Sequence, residues 1–378
     1  MIKNLIDQYV EEVSEQVIAW RRYLHQHPEL SFQEVQTSQY IYNTLQNFGN
    51  LELSRPTQTS VVARLRGREP GKVLAIRADI DALPIQEENT FSFASQNPGI
   101  MHACGHDGHT AIVLGTAKIL SQLKDYIKGE ILFIFQHAEE VPPGGAQELV
   151  EAGVLDDVDM IIGAHLFPSF EVGTIATRYG TVSAAPDEFH ITIQGKGGHG
   201  AFPHLSVDSI AIGAQVVTNL QHIVARNLDP MESAVITVTK FIGGEAYNVI
   251  PDTVEIGGTI RTFNPDVREN IPKWMERIVK GITEAHGATY QLEYRRGYAS
   301  VINDADITKV VVATLRETFG NESIILMDQP SPGGEDFSAY LQKIPGTFFA
   351  IGAGNKEKGI IYPPHHPRFT IDEKALLI

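Results

Sequence analysis

Short apolar stretches that end in polar residues, separated by helical patterns, predict an α/β fold with a doubly wound catalytic domain. Residues 73–79, 131–135 and 160–165 read as buried strands, and residues 110–123 and 146–152 read as the helices that link them, the second closed at Gly153. A third observation is a change of pattern near residue 185, where alternating strands replace buried runs. It predicts a smaller inserted α+β domain. Ligands of open α/β sheets bind beyond the carboxyl ends of the strands, and that is where the polar clusters of this sequence fall.

The inserted part reads in order as a strand over 187–194, a long helix over 206–226, strands over 233–241 and 253–262, a helix over 267–286 and a strand over 289–295. This β-α-β-β-α-β order is that of an open-faced sandwich. The α/β pattern resumes with a helix over 307–319 and a strand over 347–351, and a further helix is expected to begin near Asp372. The catalytic domain is therefore expected to be discontinuous, 1–184 and 297–378, around an insertion of 185–296.

The chain has 378 residues, 43% of them hydrophobic, enough for two buried cores. Its formal net charge of -16 repels phosphate backbones and anionic membrane surfaces, so nucleic acid and membrane are poor partners and a small molecule is the better one. Leu5, Ile6, Tyr9, Val10, Val13, Val17 and Trp20 lie among acids and amides in an amphipathic stretch, not in the basic-then-apolar layout of a signal peptide. No apolar run approaches the ~20 residues of a bilayer span. The single cysteine, Cys104, rules out an intramolecular disulfide, and a reducing cytoplasm is expected.

The sequence His102-Ala103-Cys104-Gly105-His106-Asp107-Gly108-His109 places thiol, imidazole and carboxylate in one loop before a helix. Cys104 and His106 can reach one metal centre, with donors that suit Zn and also Mn or Co. Glu139 and Glu140 follow the strand 131–135, and adjacent acids there can divide labour between holding a metal and handling a proton. His165 stands at the end of the strand 160–165, and Pro363-Pro364-His365-His366-Pro367 can hold an imidazole stiffly. Each motif has a plainer explanation: a fortuitous His-rich loop, two solvated acids, a packed histidine, a proline-rich turn. Together those explanations weaken. Asp79 and Asp81 can hydrogen-bond ligating imidazoles from behind, or only cap a turn.

In this order, these segments resemble the metal-dependent aminoacylase and carboxypeptidase family, in the branch of hippurate hydrolase, indole-acetyl-amino-acid hydrolase and N-acetyl-diaminopimelate deacetylase. The resemblance spans the chain through residues 22–30, 77–84, 101–107, 136–140, 195–199, 248–251, 258–263 and 333–337. It implies that Cys104, His106, Glu140, His165 and His365 bind two divalent metal ions (Mn, Zn or Co), Cys104 bridging, with Glu139 as general base. His365 is chosen over His366 because relatives carry a His, one variable residue and then Pro. This branch departs from the wider family, whose His and bridging Asp ligands are replaced here by the Cys104 and His106 pair.

Gly195-Lys196-Gly197-Gly198-His199-Gly200 formally fits a dinucleotide fingerprint, but no helix follows at once, since Ala201-Phe202-Pro203-His204 intervenes. The resemblance implies instead that His199 polarises the scissile carbonyl, often across a dimer interface. It also implies that Arg261 and Asn248 hold the substrate carboxylate, a task suited to a planar guanidinium. Gly334 is expected to let the backbone approach substrate.

The implied reaction is hydrolysis of an N-acyl, especially N-acetyl, amino acid by an activated water, in a homodimer formed through the inserted domain or a tetramer of such dimers. A dipeptidase or aminopeptidase on the same scaffold would share these residues. A non-catalytic metal-loaded sensor would not need Glu139 beside Glu140. A serine hydrolase is disfavoured because the chain has no G-x-S-x-G elbow.

Overall fold

Apolar residues at helical spacing fold Ile2–Gln26 into one helix whose inner stripe buries Val13, Val17, Trp20 and Leu24. The structure, a computed structural model, describes residues 2–378. Contacts group the chain into a first unit, running to Val182 and then Ile302–Gln329 and Asp336–Ile378, and a second unit, Ser183–Val301 with Pro330–Glu335. The divisions fall at 182/183 and 301/302, where sequence pattern set them at 184/185 and 296/297. The return of 330–335 to the second unit had no sequence signal; its anchor is Ala184, whose N–H donates to the carbonyls of Ser331 and Gly333.

The first unit is built on an eight-stranded sheet in the order Leu51–Ser54, Val61–Arg66, Lys128–Gln136, Glu69–Asp79, Met160–Glu171, Gly346–Gly354, Ile175–Thr177, Ile324–Leu326. Its central strands, from Lys128–Gln136 to Gly346–Gly354, run parallel. Lys128–Gln136 is buried on both faces over most of its length, as parallel strands covered by helices are. Leu51–Ser54 and Val61–Arg66 extend one edge in antiparallel fashion, a feature that hydrophobic pattern does not specify. Trp20, Ile41, Leu45, Leu114, Phe133, Phe135 and Leu166 share the principal core.

Parallel pairing of Asp79 with Gln136 sets the loops after those strands side by side. The helix after the first of them begins at His106, earlier than the 110 read from periodicity, so His106 and Asp107 belong to its first turn. Met160–Glu171 runs past His165, which lies within the strand and not at its end. The expected final helix is a short 3-10 turn, Glu373–Leu377. Among the described residues no helix is long and apolar enough to cross a membrane.

The second unit has an antiparallel sheet ordered Ala234–Ile242, Thr253–Thr262, Ala185–Gln194, Thr289–Arg296. Strict alternation in Ala185–Gln194 buries Phe189, Ile191 and Ile193 beneath Ile212, Val216 and Leu220 of Ser209–His222 and Ile271, Met275 and Val279 of Pro265–Ala285. Asp208 caps the first helix by accepting the N–H of Ile210 and Ala211; Asn264 caps the second, with Pro265 at its first position. The first helix ends at His222 and passes into a wider turn, Ile223–Asn227, so it is shorter than the 206–226 of the pattern.

Candidate metal centre

Gly105 sits at φ 96, a left-handed conformation that only glycine adopts freely, and starts the helix His106–Gln122 immediately after Cys104. Both flanking side chains are thereby buried on the same loop. His106 donates from Nδ1 to the carbonyl of Asp81 at 2.9 Å and to its Oδ1 at 3.1 Å, which leaves the Nε2 lone pair for a ligand. His165 donates from Nδ1 to the Leu166 carbonyl and brings Nε2 to 3.4 Å from Cys104 Sγ.

The acidic pair is set by a second loop. The Glu140 N–H donates to Asp81 Oδ2 at 3.0 Å, so one carboxylate orients both His106 and the Glu140 backbone. Glu140 Oε1 lies 3.3 Å from His365 Nε2 and 3.8 Å from His106 Nε2. His365 is held at φ 66 and donates its N–H to the Ala103 carbonyl at 2.7 Å. His366 turns elsewhere: its Nδ1 accepts the Arg368 N–H and its ring stacks on Tyr362.

Within the first unit four sets of possible ligand atoms each gather within 4.8 Å: Cys104, His106 and His165; Cys104, Glu140 and His365; His106, Glu139 and Glu140; Asp79, His106 and His109. Cys104 is common to the first two. His106 Nε2 and Glu140 Oε1 are buried without a hydrogen bond, an arrangement that costs free energy unless a cation fills it. Burial, then the charges of Glu140, Glu139 and Asp79, push the Cys104 thiol well above its ordinary value. Burial alone would lower the His106 imidazole, yet Asp79, Asp81 and Glu140 push it up to about 10. This is the excess of negative charge that a divalent cation relieves, and the thiolate, imidazole and carboxylate donor set fits such ions.

Asp79 also faces His106, with Oδ2 3.7 Å from its Nε2. It takes His109 Nδ1 at 2.6 Å and pairs with Arg77, while the remaining His109 nitrogen accepts the Leu166 N–H at 2.8 Å. Both nitrogens of His109 are thus engaged, and the histidine fastens the helix His106–Gln122 to two strands. Asp107 is clasped by Arg21 and His25 at 2.8 Å each. The sequence pattern missed Arg21 and His25 because their partner is more than 80 positions away.

The second unit carries the remaining candidates. His199 pairs with Val249 in a two-stranded ribbon, and the neighbouring Gly200 N–H donates to the Asn248 carbonyl, so the structure brings His199 and Asn248 together. His199 accepts the Ala201 N–H on Nδ1, which keeps the proton of a neutral ring on Nε2. Arg261 folds along its own strand, donating to the Thr259 hydroxyl and the Ile260 carbonyl. Opposite it stands Pro186, and a Cβ on Gly334 would come within 2.6 Å of that proline ring. The glycine at 334 therefore has a packing reason besides the approach of substrate expected from sequence.

The profile described as "Peptidase family M20/M25/M40" matches residues 75–377. An N-acyl-L-amino acid amidohydrolase of Geobacillus stearothermophilus is 65% identical over 303 residues, covering 80% of this chain and 82% of that protein. An N-acetylcysteine deacetylase of Bacillus subtilis is 44% identical over 363 residues, covering 96% and 93%. The crystal structure of a dinuclear metal-binding peptidase of the M20 family from Bacillus subtilis superposes with a TM-score of 0.84 at 40% identity, covering 97% of this chain and 95% of that one. The chain belongs to the peptidase M20/M25/M40 family.

Proposed function

We propose that this family member hydrolyses the amide bond of small N-acyl amino acids, the N-acetyl compounds foremost, with two divalent metal ions held by Cys104, His106, Glu140, His165 and His365. The observation that carries the proposal is the convergence of these donors, with Cys104, His106 and His165 buried, Glu140 half-buried and His365 at the exposed rim, and with His106 Nε2 and Glu140 Oε1 left without hydrogen bonds directly beside Glu139. The names of the amidohydrolase and deacetylase relatives support the substrate class. Metal bound there would acidify a water, toward a pKa of ~7 on a zinc-like centre, and polarise the acyl oxygen.

Glu139 takes the proton of the attacking water and returns it to the leaving amine, a shuttle that suits an acid standing next to a ligating one. His199, protonated on Nε2, donates to the oxygen that gains charge in the tetrahedral transition state. Arg261 and Asn248 hold the α-carboxylate, and Gly334 lines the approach to it. A cytoplasmic location suits a lone thiol that must stay reduced to serve as a ligand.

We further propose a homodimer through the second unit. Its edge strand Ala234–Ile242 exposes Val235, Phe241 and Ile242 together with an unpaired backbone edge. Amine release from N-acetyl, N-benzoyl and N-succinyl amino acids and simple dipeptides, using metal-stripped protein refilled with Mn, Zn or Co, tests the reaction. Metal-dependent turnover of the N-acetyl compounds is expected. Turnover of dipeptides alone would make the protein a dipeptidase, and silence of folded, metal-loaded protein across the panel would contradict the proposal.

A further inference from the structure

Buried carboxylates grip the Glu139 and Glu140 loop from two sides, and both grips trace to one short segment of the first unit, residues 31–34. Asp81 Oδ2, which accepts the Glu140 N–H at 3.0 Å, also accepts the Ser31 hydroxyl at 2.7 Å. Glu34 is wholly buried, and its Oε1 accepts the N–H of Ala138 at 2.8 Å and of Phe32 at 3.0 Å, while Oε2 accepts the Thr59 hydroxyl at 2.9 Å. Ala138 immediately precedes Glu139 and stands at φ 49, a left-handed conformation that a non-glycine residue keeps only where its surroundings over-determine it. Its carbonyl is fixed as well, by the Gly145 N–H at 3.1 Å. Phe32, between Ser31 and Glu34, is also left-handed, at φ 65. Bracket and acidic loop thus carry matching backbone strain, tied by one carboxylate.

We propose that Glu34 is a positioning residue for the Glu139 and Glu140 loop, with Ser31 completing the bracket through Asp81. The inference rests on the reading of the cluster as a dinuclear metal centre. Glu34 acts by geometry and not by charge. Ala138 and Phe32 both need an acceptor at Oε1, whereas the Thr59 hydroxyl can turn to accept as readily as it donates. A glutamine satisfies all three, with Oε1 toward the two N–H groups and Nε2 donating to Thr59. An aspartate keeps the charge but, one methylene shorter, cannot span from Thr59 to Ala138.

The test compares the parent with Glu34→Gln and Glu34→Asp by cobalt titration followed through visible absorption, by thermal melting, and by kcat and KM for an N-acetyl amino acid. Loss of a residue that orients ligands weakens metal affinity or activity by about 10- to 100-fold, so Glu34→Asp is expected to lose that much in cobalt affinity and in kcat, with a changed cobalt spectrum and KM within about threefold, while Glu34→Gln stays within about threefold throughout. The reverse order, or a Glu34→Asp protein equal to the parent in spectrum, affinity and kcat, overturns the inference. Should Glu34→Asp fail to fold, Ser31→Ala decides: a loss of about threefold or more in cobalt affinity and kcat supports the bracket, and parental values overturn it. A parent that takes up no cobalt overturns the dinuclear reading itself, and the bracket falls with it.

Discussion

The buried carboxylates of the two units are used in opposite ways. In the second unit Asp187 is fully enclosed and fully satisfied: Oδ1 accepts from Arg268 Nη2 at 2.6 Å and the Gly297 N–H at 2.9 Å, and Oδ2 from Arg268 Nε at 3.0 Å and the Tyr294 hydroxyl at 2.8 Å. In the first unit Glu140 Oε1 and His106 Nε2 are buried beside one another without a hydrogen bond. A buried charge with every lone pair engaged ties strands and helices together; buried donors left open and aimed at one point are costly and persist for what they bind. The contrast separates a fastening from a chemical site more sharply than residue type does, since both are carboxylates.

The largest effect expected from this contrast is on rate. Glu139→Gln should lower kcat by about 10²- to 10⁴-fold, the contribution of a positioned general base, with bound metal unchanged on elemental analysis. A protein that loses its metal instead would place Glu139 among the ligands. His199→Ala is expected to cost about 10²- to 10³-fold in kcat as the loss of one oxyanion donor does, with neither metal content nor melting affected. The smallest of the three is Asp187→Ala, which should act on stability: removing the carboxylate from the part-buried Arg268 guanidinium costs up to about 3 kcal/mol, read as a lower midpoint in denaturant, while metal content holds. If Asp187→Ala emptied the metal centre, the two carboxylates would not be separable in the way the contrast requires.

Much of this was legible in the sequence because it is local. Buried strands, the stop at Gly153, the alternation after residue 185 and the cysteine-histidine loop each declare themselves within a few residues. What was not legible is contact between distant segments. Glu34 meets Ala138 across 104 positions and Ser31 meets Asp81 across 50, and no periodicity links them. His109 illustrates the converse: it sits in the metal-rich loop, yet the first turn of the helix points it to Asp79 and the Leu166 N–H. The choice between His365 and His366 likewise depends on backbone, since the left-handed turn at His365 and the Tyr362 stack on His366 are invisible in a run of two histidines. Gly334 was singled out for substrate approach, and its packing against Pro186 was not foreseen because strand and glycine meet only in the folded second unit.

The most direct measurement titrates metal-stripped protein with manganese or zinc while amine release from an N-acetyl amino acid and bound metal per chain are followed together. The proposed centre predicts no turnover without metal, activity that rises with occupancy to two ions per chain as in the dinuclear relative, and neither uptake nor turnover at that level in His106→Ala. Full activity in the stripped protein, or His106→Ala binding metal as the parent does, would contradict it.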